Sequence, residues 1–309
     1  MTLAYISHPS SLLHVMGDEH PECPDRITAI SDRLIATGLM SHLLPYEAPA
    51  ASAEQISRAH VAGHYERLRA ASPSSGLRYL DPDTAMTPHT LEAALHAAGA
   101  SVLAADLVCS GQVQRAFCNV RPPGHHATAA AAMGFCFFNN VAIGIRHAMA
   151  VHGIRRVALI DFDVHHGNGS EDIFAGDMSV LMLSTFQSQL YPFSGDVARG
   201  ENICSVPLPA YSGGSEMREA VTGHWLPRLT AFEPQMIWVS AGFDAHRRDE
   251  LAQLRWIESD YRWISLQIRA VADRYSQGRI VSSLEGGYDL QALARCVEEH
   301  LRVLLDIEG

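Results

Sequence analysis

Lysine is missing from this chain: all 23 basic side chains are arginine, and with 34 acidic ones the formal charge is −11. Chemistry that needs a lysine Schiff base, a phosphate-loop lysine or a catalytic ammonium is therefore excluded. The acidic excess also speaks against a nucleic-acid partner, which requires a basic face to displace counterions from phosphates. Cysteine is sparse and scattered at Cys23, Cys109, Cys118, Cys136, Cys204 and Cys296. No C-x-x-C pair occurs, so neither a disulfide framework nor a zinc ribbon is expected, and the thiols read as small apolar side chains. No apolar run approaches the ~18 residues of a membrane span. The opening Met-Thr-Leu-Ala-Tyr-Ile lacks the basic start and apolar core of a signal peptide, so the expectation is a cytoplasmic protein without a membrane partner.

What is present is ordinary for a packed globular chain: 47% hydrophobic and 18% charged residues over 309 positions. No fixed-period repeat or long linker divides it, which predicts a single domain over 1–309 and leaves a homo-oligomer open. Continuous apolar runs at 115–120, 156–160, 179–183, 235–239 and 279–283 read as strands buried on both faces. Helical patterns lie between them at 88–108, 139–152, 216–232, 259–275 and 289–305. This alternation predicts an α/β fold with a central, mainly parallel sheet covered by helices on both faces. Sites in such sheets form beyond the carboxyl ends of the strands. Four polar clusters stand there: Arg121-Pro-Pro-Gly-His-His126, Asp161-Phe-Asp-Val-His-His166, Ser240-Ala-Gly-Phe-Asp244 and Leu284-Glu-Gly-Gly-Tyr288.

Asp161, Asp163 and His165 are spaced by two, so in extended chain their side chains share a face. The same residues could equally cap a turn. An Asp-x-His pair completed by Asp244 makes a three-donor metal site with a position left open, the arrangement of a catalytic metal. Two carboxylates and an imidazole suit Zn²⁺ or Fe²⁺ better than Cu⁺. The tandem His125-His126 follows a stiff Pro-Pro-Gly turn and supplies groups that titrate near neutrality. Tyr288 follows two glycines, which lets its phenol approach a substrate and donate to a developing oxyanion.

Together, Arg-Pro-Pro-Gly-His-His, Asp-Phe-Asp-Val-His-His-Gly-Asn-Gly, Ser-Ala-Gly-Phe-Asp and Glu-Gly-Gly-Tyr resemble the zinc-dependent histone deacetylase superfamily, which includes bacterial acetylpolyamine amidohydrolases. The resemblance runs from His20-Pro21-Glu22 and Arg26 to the C-terminal helix. It implies an arginase-like open α/β fold and hydrolysis of an N-acyl amide to carboxylate and amine. Asp163, His165 and Asp244 become the zinc ligands, His126 the general base and then acid, His125 its electrostatic partner, and Tyr288 the carbonyl-polarising hydroxyl. Asp161 matches the carboxylate behind His125. Asn168 matches the partner of His126, where many relatives carry aspartate; a neutral partner raises the imidazole pKa less.

The resemblance further implies structural potassium. Asp161, Asp163, His165, Ser184 and Thr185 match an inner site, and Phe174, Asp177 and Val180 match part of an outer one. Gly134, Phe135 and Tyr191 match the walls of a narrow tunnel for an aliphatic acyl-amine. Leu251 falls near the rim position where polyamine-selective relatives carry glutamate, and Asp83 near a rim acid. Two stretches depart from the pattern, Thr185-Phe186-Gln187 after Ser184 and Arg247-Arg248-Asp249-Glu250 after Asp244; both bear on substrate more than on reaction. The expected function is removal of acetyl or other short acyl groups from lysine-like amines, with acetylated lysine peptides or acetylated small amines as partners. Acetylpolyamine hydrolysis, a two-metal ureohydrolase using His125, Asp161 and Asp163, and a silent acyl-amine binding protein are the alternatives.

Overall fold

The computed structural model of the chain describes residues 1–17 and 19–307. Of the expected domain over 1–309, Asp18, Glu308 and Gly309 lie outside the described residues. The strands are β1 (Leu3–Ser7), β2 (Leu44–Glu47), β3 (Arg78–Tyr79), β4 (Ala85–Met86), β5 (Arg115–Cys118), β6 (Val157–Asp161), β7 (Val180–Gln187), β8 (Ile203–Leu208), β9 (Met236–Ala241) and β10 (Ile280–Leu284). The helices are α1 (Asp25–Ala36), α2 (Ala53–Ser57), α3 (His64–Ala71), α4 (Thr90–Cys109), α5 (Asn140–His152), α6 (Asn168–Phe174), α7 (Gly214–Ala220), α8 (Leu226–Phe232), α9 (Glu258–Tyr275) and α10 (Leu290–Leu305). Eight strands form one sheet in the order β2-β1-β5-β10-β9-β6-β7-β8, and every pairing in it is parallel. β3 and β4 form a separate antiparallel pair. The edge strands β2 and β8 carry Pro45 and Pro207.

The strand period sorts side chains between two cores. In β6, Val157 and Leu159 face the layer of α4 and α5, whereas Ala158 and Ile160 face the layer of α1, α9 and α10. Local signals set the helix limits. The Asn139 side chain accepts from the N–H of Ala142 to start α5, and Gly153 ends it at φ 68°. The expected helix over 216–232 is interrupted by a π-helical turn at Val221–Trp225. Pro227 in the first turn of α8 explains the break, since it brings no N–H to continue the α ladder.

One expectation is corrected. The 20 residues of α4 are long and apolar enough to cross a membrane by length and composition, with a window of mean hydropathy 1.4, but 67% of that window is buried inside the protein. Alanine dominates this helix, so its hydrophobicity is spread all round and close packing against α5 replaces lipid. Asp106 of α4 draws His147 and His152 of α5 to 2.8 and 2.6 Å. Arg58 donates to His147 Nδ1 at 2.6 Å, which places the ring proton on Nε2 facing Asp106 and makes this group a hydrogen-bonded tie between helices.

Candidate active site

β5, β10, β9 and β6 are consecutive across the middle of the sheet. The four polar clusters follow these four strands, so parallel pairing brings them to one edge. β6 ends at Asp161, yet the alternation of side chains persists beyond it. Asp161 Oδ1 accepts from the N–H of Asp163 at 3.1 Å, and Asp163 Oδ1 accepts from the N–H of His165 at 2.8 Å. Two successive side-chain-to-backbone turns thus hold the polar residues on the site face, while Phe162 and Val164 stay in the core. Both readings of this segment, a turn and a donor set, describe it.

Asp163, His165 and Asp244 present donor atoms within 4.8 Å of one another. His165 Nδ1 lies 3.0 Å from Asp163 Oδ1 and 3.3 Å from Asp244 Oδ2. Asp244 Oδ1 accepts from Val164 N–H at 2.9 Å, but its Oδ2 is buried without a hydrogen-bond partner among the described residues. Such an orphaned carboxylate oxygen is costly unless something cationic faces it. Burial disfavours a charged His165, yet its hydrogen bond to Asp163 and the neighbouring Asp244 carboxylate push the ring up to about 10. The two carboxylates thus attract positive charge to the point where the three donors meet, and with the imidazole neutral the donor set fits a divalent zinc-type ion. Glycine makes room: a Cβ at Gly286 would lie 1.9 Å from Asp244 Oδ2, and one at Gly242 would lie 2.1 Å from Asp163 Oδ2.

The tandem histidines have opposite electrostatics. His125 Nδ1 is 3.0 Å from Asp161 Oδ2. Burial opposes charging this ring, but the carboxylates of Asp163 and Asp161 raise it well above the usual range. His126 is lowered well below it, by burial first and then by the charges of His125 and His165. Asn168 Nδ2 faces Met133 Sδ, leaving Asn168 Oδ1 to accept from His126 Nδ1 at 2.8 Å. The proton of neutral His126 thus sits on Nδ1, and the Nε2 lone pair is free to take a proton.

Four buried ionisable groups missing from the expected roles frame these residues. Glu285 Oε2 accepts from the N–H groups of Gly124 and His125 at 2.7 and 3.1 Å, and burial above all raises its carboxyl to about 7. Arg26 donates to the Gly287 carbonyl at 2.7 Å and to the Glu285 carbonyl, with its guanidinium carbon 4.9 Å from the Tyr288 ring centre. Arg121 pairs with both oxygens of Glu22 and donates to the carbonyls of Ser11 and His14. Their signal in the sequence was only position within motifs.

A cavity of about 220 Å³ opens over the site. Asp83, Gly134, Phe135, Tyr191 and Leu251, the expected tunnel residues, all line it, together with His126, His165 and Tyr288. Leu190 also lines it and was not anticipated. The Tyr191 ring meets His126 edge-on at 5.2 Å, and burial raises its phenol. Asp83 is raised by burial and by neighbouring Asp81. A second cavity, of about 320 Å³, adjoins the first, sharing Leu251 and Tyr288 and adding Glu250 and Arg248.

The potassium expectation divides. Ser184, paired in register with Asp161, has a buried hydroxyl without a partner among the described residues, which suits a cation at the inner set with Asp161, Asp163 and His165; Thr185, next along β7, turns its side chain to the opposite face and has only its carbonyl to offer. The outer set of Phe174, Asp177 and Val180 does not fit a cation. All three carbonyls accept from the side-chain amide of Asn202, at 2.8, 3.1 and 2.9 Å.

Comparison with known proteins agrees with this architecture. The histone deacetylase domain model matches residues 20–304, and the chain belongs to that family. It is 38% identical over 298 residues to the histone deacetylase-like amidohydrolase of Pseudomonas aeruginosa, covering 94% of this chain and 77% of the relative. It is 34% identical to the polyamine deacetylase HDAC10 of Homo sapiens, covering 93% of this chain and 45% of the relative. The crystal structure of the HDA15 HD domain superposes with a TM-score of 0.91 at 30% identity, covering 100% of this chain and 90% of that one. The fold is thus the arginase/deacetylase fold, and the protein is a hydrolase of the deacetylase and amidohydrolase class.

Proposed function

We propose that this chain is a zinc-dependent amidohydrolase that removes acetyl or other short acyl groups from lysine-like amines. The observation that carries the reading is the convergence of Asp163, His165 and Asp244, with an orphaned Asp244 oxygen, beneath a cavity that His126 and Tyr288 also line. A bound zinc-type ion supplies Lewis acidity, polarising a carbonyl and lowering the pKa of water. His126 Nε2 takes a proton from the attacking water, with Nδ1 held by Asn168. Tyr288 donates a hydrogen bond to the oxygen that gains charge as the carbonyl becomes tetrahedral. The protonated His126 then delivers its proton to the departing amine nitrogen, so water and amide leave as carboxylate and ammonium. His125, kept cationic between Asp161 and Asp163, stabilises the negative charge that accumulates beside it.

The test is acetate release alongside metal analysis: about one zinc per chain with turnover in the native protein, and neither in Asp163→Ala. Hydrolysis surviving in that variant would sink the reading, and absence of turnover on every acetylated amine in the zinc-loaded protein would favour a silent binder. Among the described residues the donors that converge here are Asp163, His165 and Asp244, and His125 and Asp161 do not join them, which speaks against the two-metal ureohydrolase.

Asp83 and Glu250 at the two cavities favour a second substrate reading, small acetylated polyamines. Apolar Leu251 between them favours the lysine side chain. Rates on acetyl-lysine peptide, acetylputrescine and acetylspermidine decide, with a preference above ~100-fold assigning the class.

A further inference from the structure

Asn202 sits just before β8 with its side chain buried against the loop that joins α6 to β7. Its Oδ1 accepts from the N–H of Gly176 at 2.9 Å, and that contact settles which way the amide faces. The nitrogen then points into the ring of Phe174, Asp177 and Val180 carbonyls. Turning the amide over would set an oxygen against three oxygens and leave two donors facing each other at Gly176.

The space has been shaped around this amide. A Cβ at Gly200 would lie 2.8 Å from Asn202 Oδ1 and 2.9 Å from Gly176 N, and Gly176 itself has φ +83°. The carbonyls have little capacity left. Phe174 also accepts from the N–H of Asp177 at 3.0 Å, and Asp177 from the N–H of Val180 at 3.0 Å, so two of the three have both lone pairs engaged. Positive charge is already at hand: Arg146 pairs with the Asp177 carboxylate at 2.5 Å and lies 4.8 Å from the Phe174 ring centre. A cation added here would meet used lone pairs, an amide at the focus of the three oxygens and a guanidinium nearby.

We propose that the Asn202 amide takes the place of the outer monovalent cation, so that this chain closes its α6–β7 loop with its own side chain and holds no ion there. Ring closure here is covalently attached and independent of salt. This inference stands apart from the proposed catalysis and survives its failure.

Crystals grown in rubidium chloride test it without reference to activity. The expected result is a side chain, and no anomalous rubidium peak, within hydrogen-bonding reach of the three carbonyls; a peak there overturns the proposal. A variant gives an independent reading. Asn202→Asp replaces the donor by a carboxylate and turns the ring into an all-oxygen cavity suited to a hard cation. Its melting temperature should gain about 5 °C more than the native protein's when potassium chloride replaces choline chloride at equal ionic strength. Equal gains in the two proteins would contradict the assignment. Should the variant not fold, the rubidium experiment on the native protein still decides.

Discussion

Asp249 holds Tyr288 by its backbone: the carboxylate Oδ2 accepts the Tyr288 N–H at 2.7 Å, while Oδ1 accepts the Leu251 N–H at 3.1 Å. One buried side chain thus joins the cavity rim to the loop bearing the phenol. Burial and the charge of Asp244 raise Asp249 to about 7. Asp249→Ala should lower kcat about 10- to 100-fold with a smaller change in KM, because the oxyanion donor loses its fixed position. Asp249→Asn keeps an acceptor oxygen and should recover part of the loss. Steady-state kinetics of the pair check this, and an Asp249→Ala enzyme with native kcat would refute it.

Tyr288→Phe removes the hydroxyl and leaves the ring under Arg26. A drop of about 10²–10³ in kcat is expected with zinc content unchanged. Loss of zinc in this variant would show that the hydroxyl acts on the metal donors instead.

The pH profile tests Asn168. A lowered His126 is neutral and ready as a base across the neutral range, so the acid limb of kcat/KM should fall below 6.5, its ordinary value. Replacing Asn168 by Asp puts a carboxylate at Nδ1 and stabilises the imidazolium, so the limb should move to higher pH. An unmoved limb in Asn168→Asp would mean that another group sets it.

Stability should depend on Glu22. Burial opposes its charge, but the Arg121 guanidinium holds the carboxyl far below 4.5. Because its folded pKa is depressed, this stabilisation is present above about pH 4.5 and is lost as pH falls toward the folded value. Glu22→Gln leaves Arg121 buried and short of its partner, a change that costs about 3–5 kcal/mol in comparable pairs. Urea unfolding at pH 7 measures it, and a cost under about 1 kcal/mol would mean that carbonyls alone satisfy Arg121.

Gly134 has φ +56°, and a Cβ there would lie 2.6 Å from His126 Cδ2. Gly134→Ala should therefore displace the imidazole and depress kcat by at least about 10-fold. Unchanged turnover would show that the loop moves aside.

The central strands and the donors Asp163, His165 and Asp244 were legible because each carries its own signal: an apolar run, or a metal-binding residue type at a strand end. Adjacency was not. That β10 and β9 lie between β5 and β6 depends on crossovers that leave no mark on any one segment. β1, β2 and β8 of the main sheet escaped notice, β8 because Ser205 and Pro207 interrupt its apolar run. Asp249 lay inside an Arg-Arg-Asp-Glu run that read as a rim variation, and only the fold shows its carboxylate turned inward to Tyr288. Asn202 is a single polar residue whose partners are main-chain oxygens, and those are invisible in sequence. Ser184 and Thr185, expected beside a cation, were reached through resemblance alone.

The prolines at the two borders of the sheet bear on how this protein behaves when crowded. A parallel sheet eight strands wide ends in two rows of backbone donors and acceptors that another chain could extend. Pro45 in β2 and Pro207 in β8 each remove one donor from such a row, and Glu47 adds an exposed charge at the first. Strand-by-strand growth into fibrils is thereby discouraged at both margins, so the catalytic edge can stay open to substrate without the sheet itself becoming adhesive.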